Sequence, residues 1–210
     1  MKFDLAQTDA LLATTRAVRK RLDLDRPVPR DVVMECIALS MQAPTGSNSQ
    51  GWRWVIVEDA DKRQALGELY RTAGSAYLAA GAAATKGEGQ LGRVMSSAMW
   101  LAENMGRAPL LAIPCIEGFF PDGAPQAMLA SQYASIYPAV WSFQLALRSR
   151  GLGSTLTTLH LLQAKEAAEI LGLPENVQQV AMLPVAYTVG TDFKRAERPG
   201  PETITHWDGW

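Results

Sequence analysis

Histidine and cysteine are scarce in this chain, with two of each in 210 residues. Neither His160 nor His206 has a cysteine or carboxylate at metal-ligand spacing, so the sequence marks no metal site. His160 closes a strand-like run and reads as a satisfied or partly exposed side chain. Cys36 and Cys115 lie far apart in apolar surroundings and read as reduced core thiols, which suits a cytoplasm. The net charge is −1 and no block of like charge occurs, which argues against non-specific binding to nucleic acid or an anionic membrane. No run is long and apolar enough to span a bilayer, and "MKFDLAQTDA" lacks the apolar core of a secretory signal. A Walker-type "GK[ST]" is missing. "GLGST", from Gly151, hints at a dinucleotide loop, but that fingerprint needs strand, turn, helix and a third glycine. Here the order is helix, turn, strand, and the glycines read as a helix C-cap and a tight turn. With no nucleophile or metal in view, an enzyme built on this sequence would leave its chemistry to a cofactor.

What is present is a globular pattern. Hydrophobic residues make up 48% of the chain, enough for one well-packed domain over residues 1–210. "TDALLATTRAVRKRLD" predicts a helix capped by Thr8 or Asp9 and ending in a basic cluster. Pro29 opens a second helix, with Val33, Cys36 and Ile37 on one face, and Pro44 cannot continue it. "WRWVIVED" reads as a strand and "DADKRQALGELYRTA" as a helix. Residues 74–92, rich in Ala and Gly, read as a mobile segment. "RVMSSAMWLAENMG" is a helix, "APLLAIPCIEG" a buried strand, and "FFPDGAPQA" a loop. A long apolar helix then runs to Arg150, kinked or split at Pro138, with Gly151 placed to end it. "GSTLTTLH" is a third strand, "QAKEAAEILGLP" a short helix and "VQQVAMLPVAYTVG" a fourth strand. Strands and helices mix without strict βαβ alternation. The pattern predicts an α+β fold, with one sheet between helical layers. The last twenty residues are too apolar to float freely and too Pro-rich for a central strand.

Three clusters carry candidate chemistry. Arg16 and Arg19, spaced i, i+3, would share a helix face and could grip an anion, as could Lys194, Arg195 and Arg198 in the tail. Taken alone, either cluster reads more simply as a solvated charged face. The third is "QAPTGSNSQGW". Thr45, Ser47, Asn48, Ser49 and Gln50 offer donors and acceptors, and Gly46 allows close backbone approach. A capping turn needs two or three such residues, whereas a flat heterocycle with a polar edge would use the whole set.

"TTRAVRKR", "QAPTGSNSQGWRWVIVE", "GLGSTLTTLH" and "GTDFKRAERPGPETITHWDGW" together closely resemble the FMN-dependent nitroreductase family. The resemblance covers nearly the whole chain and is weakest over residues 70–125. It implies a nitroreductase-like α+β homodimer. The central sheet would be mixed but mainly antiparallel, and an extended C-terminal tail would be swapped onto the partner, burying Trp207 and Trp210. FMN is the implied cofactor. Arg16 and Arg19 match residues that reach its phosphate and ring edge, and Ala17 stands where a Ser is common. Pro44, Thr45, Gly46 and Asn48 match the loop lining the ring, partly across the dimer interface, and Gln50 would anchor that loop. Thr157, Thr158 and Leu159 match the strand end whose backbone N–H faces flavin N5. Arg198 matches a tail arginine that closes on the phosphate, with Arg195 a weaker second. Arg19 would offset charge on the reduced ring, and Phe119 and Phe120 could form a substrate lid. The implied activity is ping-pong transfer from NADH or NADPH to a small nitroaromatic, quinone or enone. A flavin-cleaving or dehalogenating relative and a flavin-binding regulatory module stay open beside it.

Overall fold

The computed structural model describes residues 2–118, 121 and 123–210. Six α-helices and five strands follow in chain order: α1 (Leu5–Thr14), α2 (Arg30–Ser40), β1 (Trp52–Val57), α3 (Ala60–Thr85), α4 (Gly89–Asn104), β2 (Leu110–Glu117), α5 (Gln126–Ser149), β3 (Leu152–Ser154), α6 (Ala164–Leu171), β4 (Val177–Gln179) and β5 (Leu183–Tyr187). The fold is the α+β arrangement predicted from sequence. The sheet order is β1-β2-β5-β3, with β4 also on β2, and every named ladder is antiparallel.

β2 is the centre of the molecule. Its sequence alternates between two cores because both its faces are covered. Leu110, Ala112 and Ile116 join Val33, Ile37, Ile136, Val140 and Phe143 from α2 and α5. Leu111, Ile113 and Cys115 join Leu66, Tyr70, Leu101 and Met105 on the opposite face. A strand buried on both faces reads as an unbroken apolar run, which is what "LLAIPCI" shows. Both cysteines are free and buried, and burial pushes the Cys115 thiol up to about 12.

The run expected as a fourth strand is two strands. β4 pairs with Cys115–Glu117 and β5 with Leu110–Ala112, so the ladder breaks opposite Ile113 and Pro114. Pro114 has no N–H to give, and a gap in the ladder is where it can sit inside a sheet. Val180 N still donates to Pro114 O at 3.0 Å, and past it the chain leaves the ladder, so that Met182 pairs with Thr157.

Other differences have local causes. The first helix is capped by Asp4, whose Oδ1 accepts from Gln7 N at 3.1 Å, rather than by Thr8 or Asp9, and ends at Thr14, before the basic cluster. Arg16 and Arg19 therefore do not share a helix face. The segment is pulled out of helix by the edge of β3: Val18 N donates to Ser154 O at 2.9 Å, and Leu22 bridges Thr188. Residues 74–92 are not an irregular segment. Alanine outweighs glycine there as a helix former, so α3 runs to Thr85 and a turn at Lys86–Glu88 feeds α4. Gly81 and Gly92 let this helical hairpin close: a Cβ on Gly81 would lie 2.4 Å from Met95 Sδ, and one on Gly92 2.3 Å from the Gly87 carbonyl carbon. α5 runs through Pro138 without a break. The third strand is only Leu152–Ser154, and Leu159–Gln163 is a 3-10 turn. No helix among the described residues is long and apolar enough to cross a membrane.

His160 lies in that 3-10 turn with no exposed surface, rather than partly exposed at a strand end. Burial depresses its pKa to about 4, and Gln179 beside it opposes this only in part. The unfolded chain therefore takes a proton first as pH falls. The resulting stability is present above about pH 6.5 and is lost toward pH 4, by about 3 kcal/mol from a shift of about 2.5 units. Urea denaturation of wild type and His160→Gln should show their difference change by about that amount between pH 7 and pH 4. A constant difference would mean the imidazole is not held neutral.

Candidate functional site

The extended segment after α1 forms one wall of a basic cleft of about 370 Å³. Arg16, Ala17 and Arg19 face Gln90, Arg93 and Ser97 of α4, and Arg195–Glu197 of the tail close the rim. Arg16, Arg93 and Arg195 are exposed at this rim, and Arg19 is half-buried. Among the described residues, none of these four arginines has a carboxylate partner. Burial holds the Arg19 pKa below its ordinary value, with the nearby Tyr70 opposing. The one hydrogen bond that Arg19 Nη1 gives is long, 3.4 Å to Ser97 Oγ. Gathering four guanidinium groups with Glu197 as the one acid in the lining, and no ion pair to it, is unfavourable unless an anion completes the site. A phosphate dianion matches that donor set in charge and fork geometry.

Arg93 was not singled out in the sequence, because it opens the helix "RVMSSAMWLAENMG" directly after the stretch read as mobile. Only its helical position, one turn before Ser97, could have singled it out. Arg195 lines the cleft, whereas Arg198 lies outside the lining and gives Nη1 to Glu197 O at 3.0 Å. The start of the tail is pinned. Phe193 lies between Arg21 at 4.1 Å and Arg148 at 4.6 Å, and Arg21 also pairs with Asp192. Arg16 Nη1 donates to Lys194 O at 3.0 Å, which ties the tail to the cleft wall.

The polar loop lies elsewhere on the chain, against α5. Its backbone is strained: Ser47, Asn48 and Gln50 have φ of 52°, 51° and 50°. Each such residue costs about 1–2 kcal/mol and persists only where neighbours over-determine it. They do so here. Gly46 N donates to Ser135 Oγ at 2.9 Å, Gln50 N to Thr45 Oγ1 at 3.2 Å and Gln50 Nε2 to Asn48 Oδ1 at 3.0 Å. Trp52 Nε1 reaches Ser135 O at 2.9 Å. Gly46 is needed for this approach, since a Cβ would sit 3.1 Å from Ser131 Oγ and 3.3 Å from Ser135 Oγ. Pro44, Thr45, Gly46, Asn48 and Gln50 are thus brought together, yet none of them lines the basic cleft of the same chain.

Thr157 N–H is committed to Met182 O at 3.1 Å. A donor aimed at a ligand must therefore come from Thr158, which is exposed, or from Leu159, which opens the 3-10 turn and lacks an intrahelical acceptor. α3 presses on this turn, for a Cβ on Gly74 would lie 2.7 Å from Leu159 Cδ1. Phe119 and Phe120 lie outside the described residues.

The Nitroreductase family model matches residues 12–187. The chain belongs to the Nitroreductase family. Among its relatives, a 5,6-dimethylbenzimidazole synthase from Rhodospirillum rubrum is 30% identical over 198 residues, covering 92% of this chain and 85% of that protein. An iodotyrosine deiodinase from Thermotoga neapolitana is 26% identical over 205 residues, 94% of this chain and 96% of the relative. Iodotyrosine deiodinase 1 of Rattus norvegicus is 25% identical over 188 residues, and this chain spans only 60% of its length. An FMN-dependent nitroreductase from Mycobacterium smegmatis, solved in complex with NADPH, superposes with a TM-score of 0.71 at 22% identity, covering 98% of this chain and all of that one. An iodotyrosine deiodinase bound to FMN and 3-iodo-L-tyrosine gives 0.70 at 23% identity, with 95% and 98% covered.

Ser135 holds the strained loop of this nitroreductase-family chain. Ser135→Ala leaves the Gly46 N–H without its acceptor, which should cost roughly 1–3 kcal/mol. Chemical denaturation should show that loss, and protease sensitivity should rise at residues 44–50. An unchanged loop would show that Ser135 is not what holds it.

Proposed function

We propose that this protein is an FMN-dependent NAD(P)H oxidoreductase acting on a small organic acceptor as a cytoplasmic homodimer. The observation that carries this reading is the cleft lined by four arginines, none of them ion-paired among the described residues, in a chain of this family. FMN, when bound, supplies reversible hydride chemistry at N5, which suits ping-pong exchange between NADH or NADPH and a nitroaromatic, quinone or enone.

The chain's own groups divide the work. Arg16, Arg93 and Arg195 would hold the phosphate at the rim. Arg19, deeper and half-buried, would lie nearer the pyrimidine edge, where positive charge offsets charge gained on reduction. Thr158 or Leu159 N–H would donate to the ring edge. The loop at 44–50, remote from the cleft of its own chain, would serve the partner's cleft. Exposed apolar side chains support the dimer: Leu5, Met34 and Trp141 are 72%, 61% and 43% exposed, and Trp207 and Trp210 are 87% and 104% exposed. Those two tryptophans would bury on the partner.

Similarity to deiodinases favours a second reading, reductive dehalogenation of an amino acid. A zwitterion needs an acid and a base in a dry site. Residues 72–85 of α3, the part beside Leu159, carry no charged side chain. An uncharged acceptor fits that wall better. NADPH oxidation with a nitroaromatic, set against iodide release from iodotyrosine, separates the two.

Fluorescence titration with FMN and riboflavin tests the phosphate grip. Each charge-assisted bond contributes roughly 1.5–3 kcal/mol, so Arg16→Ala, Arg93→Ala and Arg195→Ala should each weaken FMN about ten- to a hundredfold. Riboflavin affinity should barely change. Arg198→Ala, outside the lining, should have the smaller effect. Equal losses for both ligands would mean that these arginines support the fold instead.

A further inference from the structure

Phe193 does not line the basic cleft, yet two cations are committed to it. The Arg21 guanidinium lies 4.1 Å from its ring centroid and that of Arg148 4.6 Å. The ring is half-buried and packs on the core cluster that contains Leu66 and Met105. Both arginines also hold the backbone that leads into it. Arg21 Nε donates to Val189 O at 2.8 Å, and Arg148 Nη2 to Thr191 O at 3.2 Å. Phe193 N donates to Thr191 O at 2.9 Å, which closes a three-residue turn. Gly190 makes room for this crossing. Its φ is 75°, and a Cβ there would lie 2.6 Å from Arg21 Nη2.

Two like charges at one ring repel each other, and the negatively polarised face of the ring attracts both. Other counter-charge is weak. Asp192 pairs with Arg21 at 2.6 Å but is 85% exposed, and Arg148 has no carboxylate partner among the described residues. An aliphatic side chain of similar size would fill the space and offset neither charge. What Phe193 fixes lies one and two residues further on. Lys194 O accepts from Arg16 Nη1 at 3.0 Å, and Arg195 lines the cleft. Residues 194–199 make no backbone–backbone hydrogen bond among the described residues. The place of Arg195 is therefore inherited from Phe193, and Arg16 is steadied by the same stretch of tail.

We propose that Phe193 is a positioning residue for the cofactor phosphate. Clasped by Arg21 and Arg148, its ring fixes the tail so that Arg16 and Arg195 stand ready at the rim, and it thereby sets how strongly the cleft prefers FMN to riboflavin. The inference rests on the FMN reading given above. Its physical basis is preorganisation: a tail already fixed loses less freedom when the phosphate arrives.

Fluorescence titration of Phe193→Leu and Phe193→Tyr with both flavins tests this. Phe193→Leu should weaken FMN about tenfold and leave riboflavin within about twofold, because the phosphate grip alone is loosened. Phe193→Tyr, which keeps the aromatic face, should stay within about twofold of wild type for both ligands. In an Arg195→Ala background Phe193→Leu should weaken FMN by less than about threefold, since most of its effect passes through Arg195. Trypsin should cut the flavin-free Leu variant after Lys194 and Arg195 about fivefold faster than wild type. Arg148→Gln removes one cation from the ring and should give the same FMN-selective loss at about threefold, which supplies a second route if Phe193→Leu does not fold. Equal losses for FMN and riboflavin, a Tyr variant as weak as the Leu variant, or an undiminished tenfold loss in the Arg195→Ala background would each reduce Phe193 to packing and overturn the inference. Wild-type protein that binds no FMN would overturn this inference and the proposed function together, whereas FMN binding that Phe193→Leu leaves unchanged would overturn this inference alone.

Discussion

Pro114 cannot donate a hydrogen bond, and the middle of the sheet is arranged around that missing donor. β2 is buried on both faces, so an unpaired polar group there would be costly. The chain resolves this by splitting its partner strand into β4 and β5 opposite Pro114. The freed residues at the split are not idle. Met182 turns to Thr157 and accepts from both its N–H and its hydroxyl. The turn that carries Thr158 and Leu159 therefore takes its position from a defect in the central ladder.

Electrostatics supply the second constraint. Arg19 is drawn inward by β3 pairing at its neighbour Val18, while Arg93 and Arg195 arrive from α4 and the tail. Five other arginines of the described residues pair with a carboxylate, as in Arg30 with Glu58 or Arg71 with Glu68. Those exposed pairs contribute little. The unpaired set in the cleft is different in kind, because four arginines face one lining acid, Glu197, and an incoming anion would relieve the rest of their repulsion. The strained loop at Thr45–Gln50 follows the same logic, since rigid donors prepared in advance lose less on binding.

Much of this was legible in the residues. The density of polar groups in "PTGSNSQ" announced the loop, and the apolar run "LLAIPCI" announced the buried strand. The basic cluster was visible, but its conformation was not. Spacing i, i+3 fits a helix, and only the long-range bond from Val18 to Ser154 overrides it. The break at Val180–Met182 was hidden for the same reason, because its cause is Pro114, more than sixty residues away in sequence. Arg93 was obscured by the Gly and Ala around it.

The central claim is that the arginine cleft and the strained loop together hold a redox-active flavin. The most direct measurement is the visible spectrum of purified protein after FMN loading and gel filtration, before and after anaerobic NADPH. The account predicts flavin bands that co-elute with a dimer, bleach on NADPH and return when a nitroaromatic is added. Protein that emerges colourless, or whose bound FMN stays oxidised with both NADH and NADPH, would contradict it.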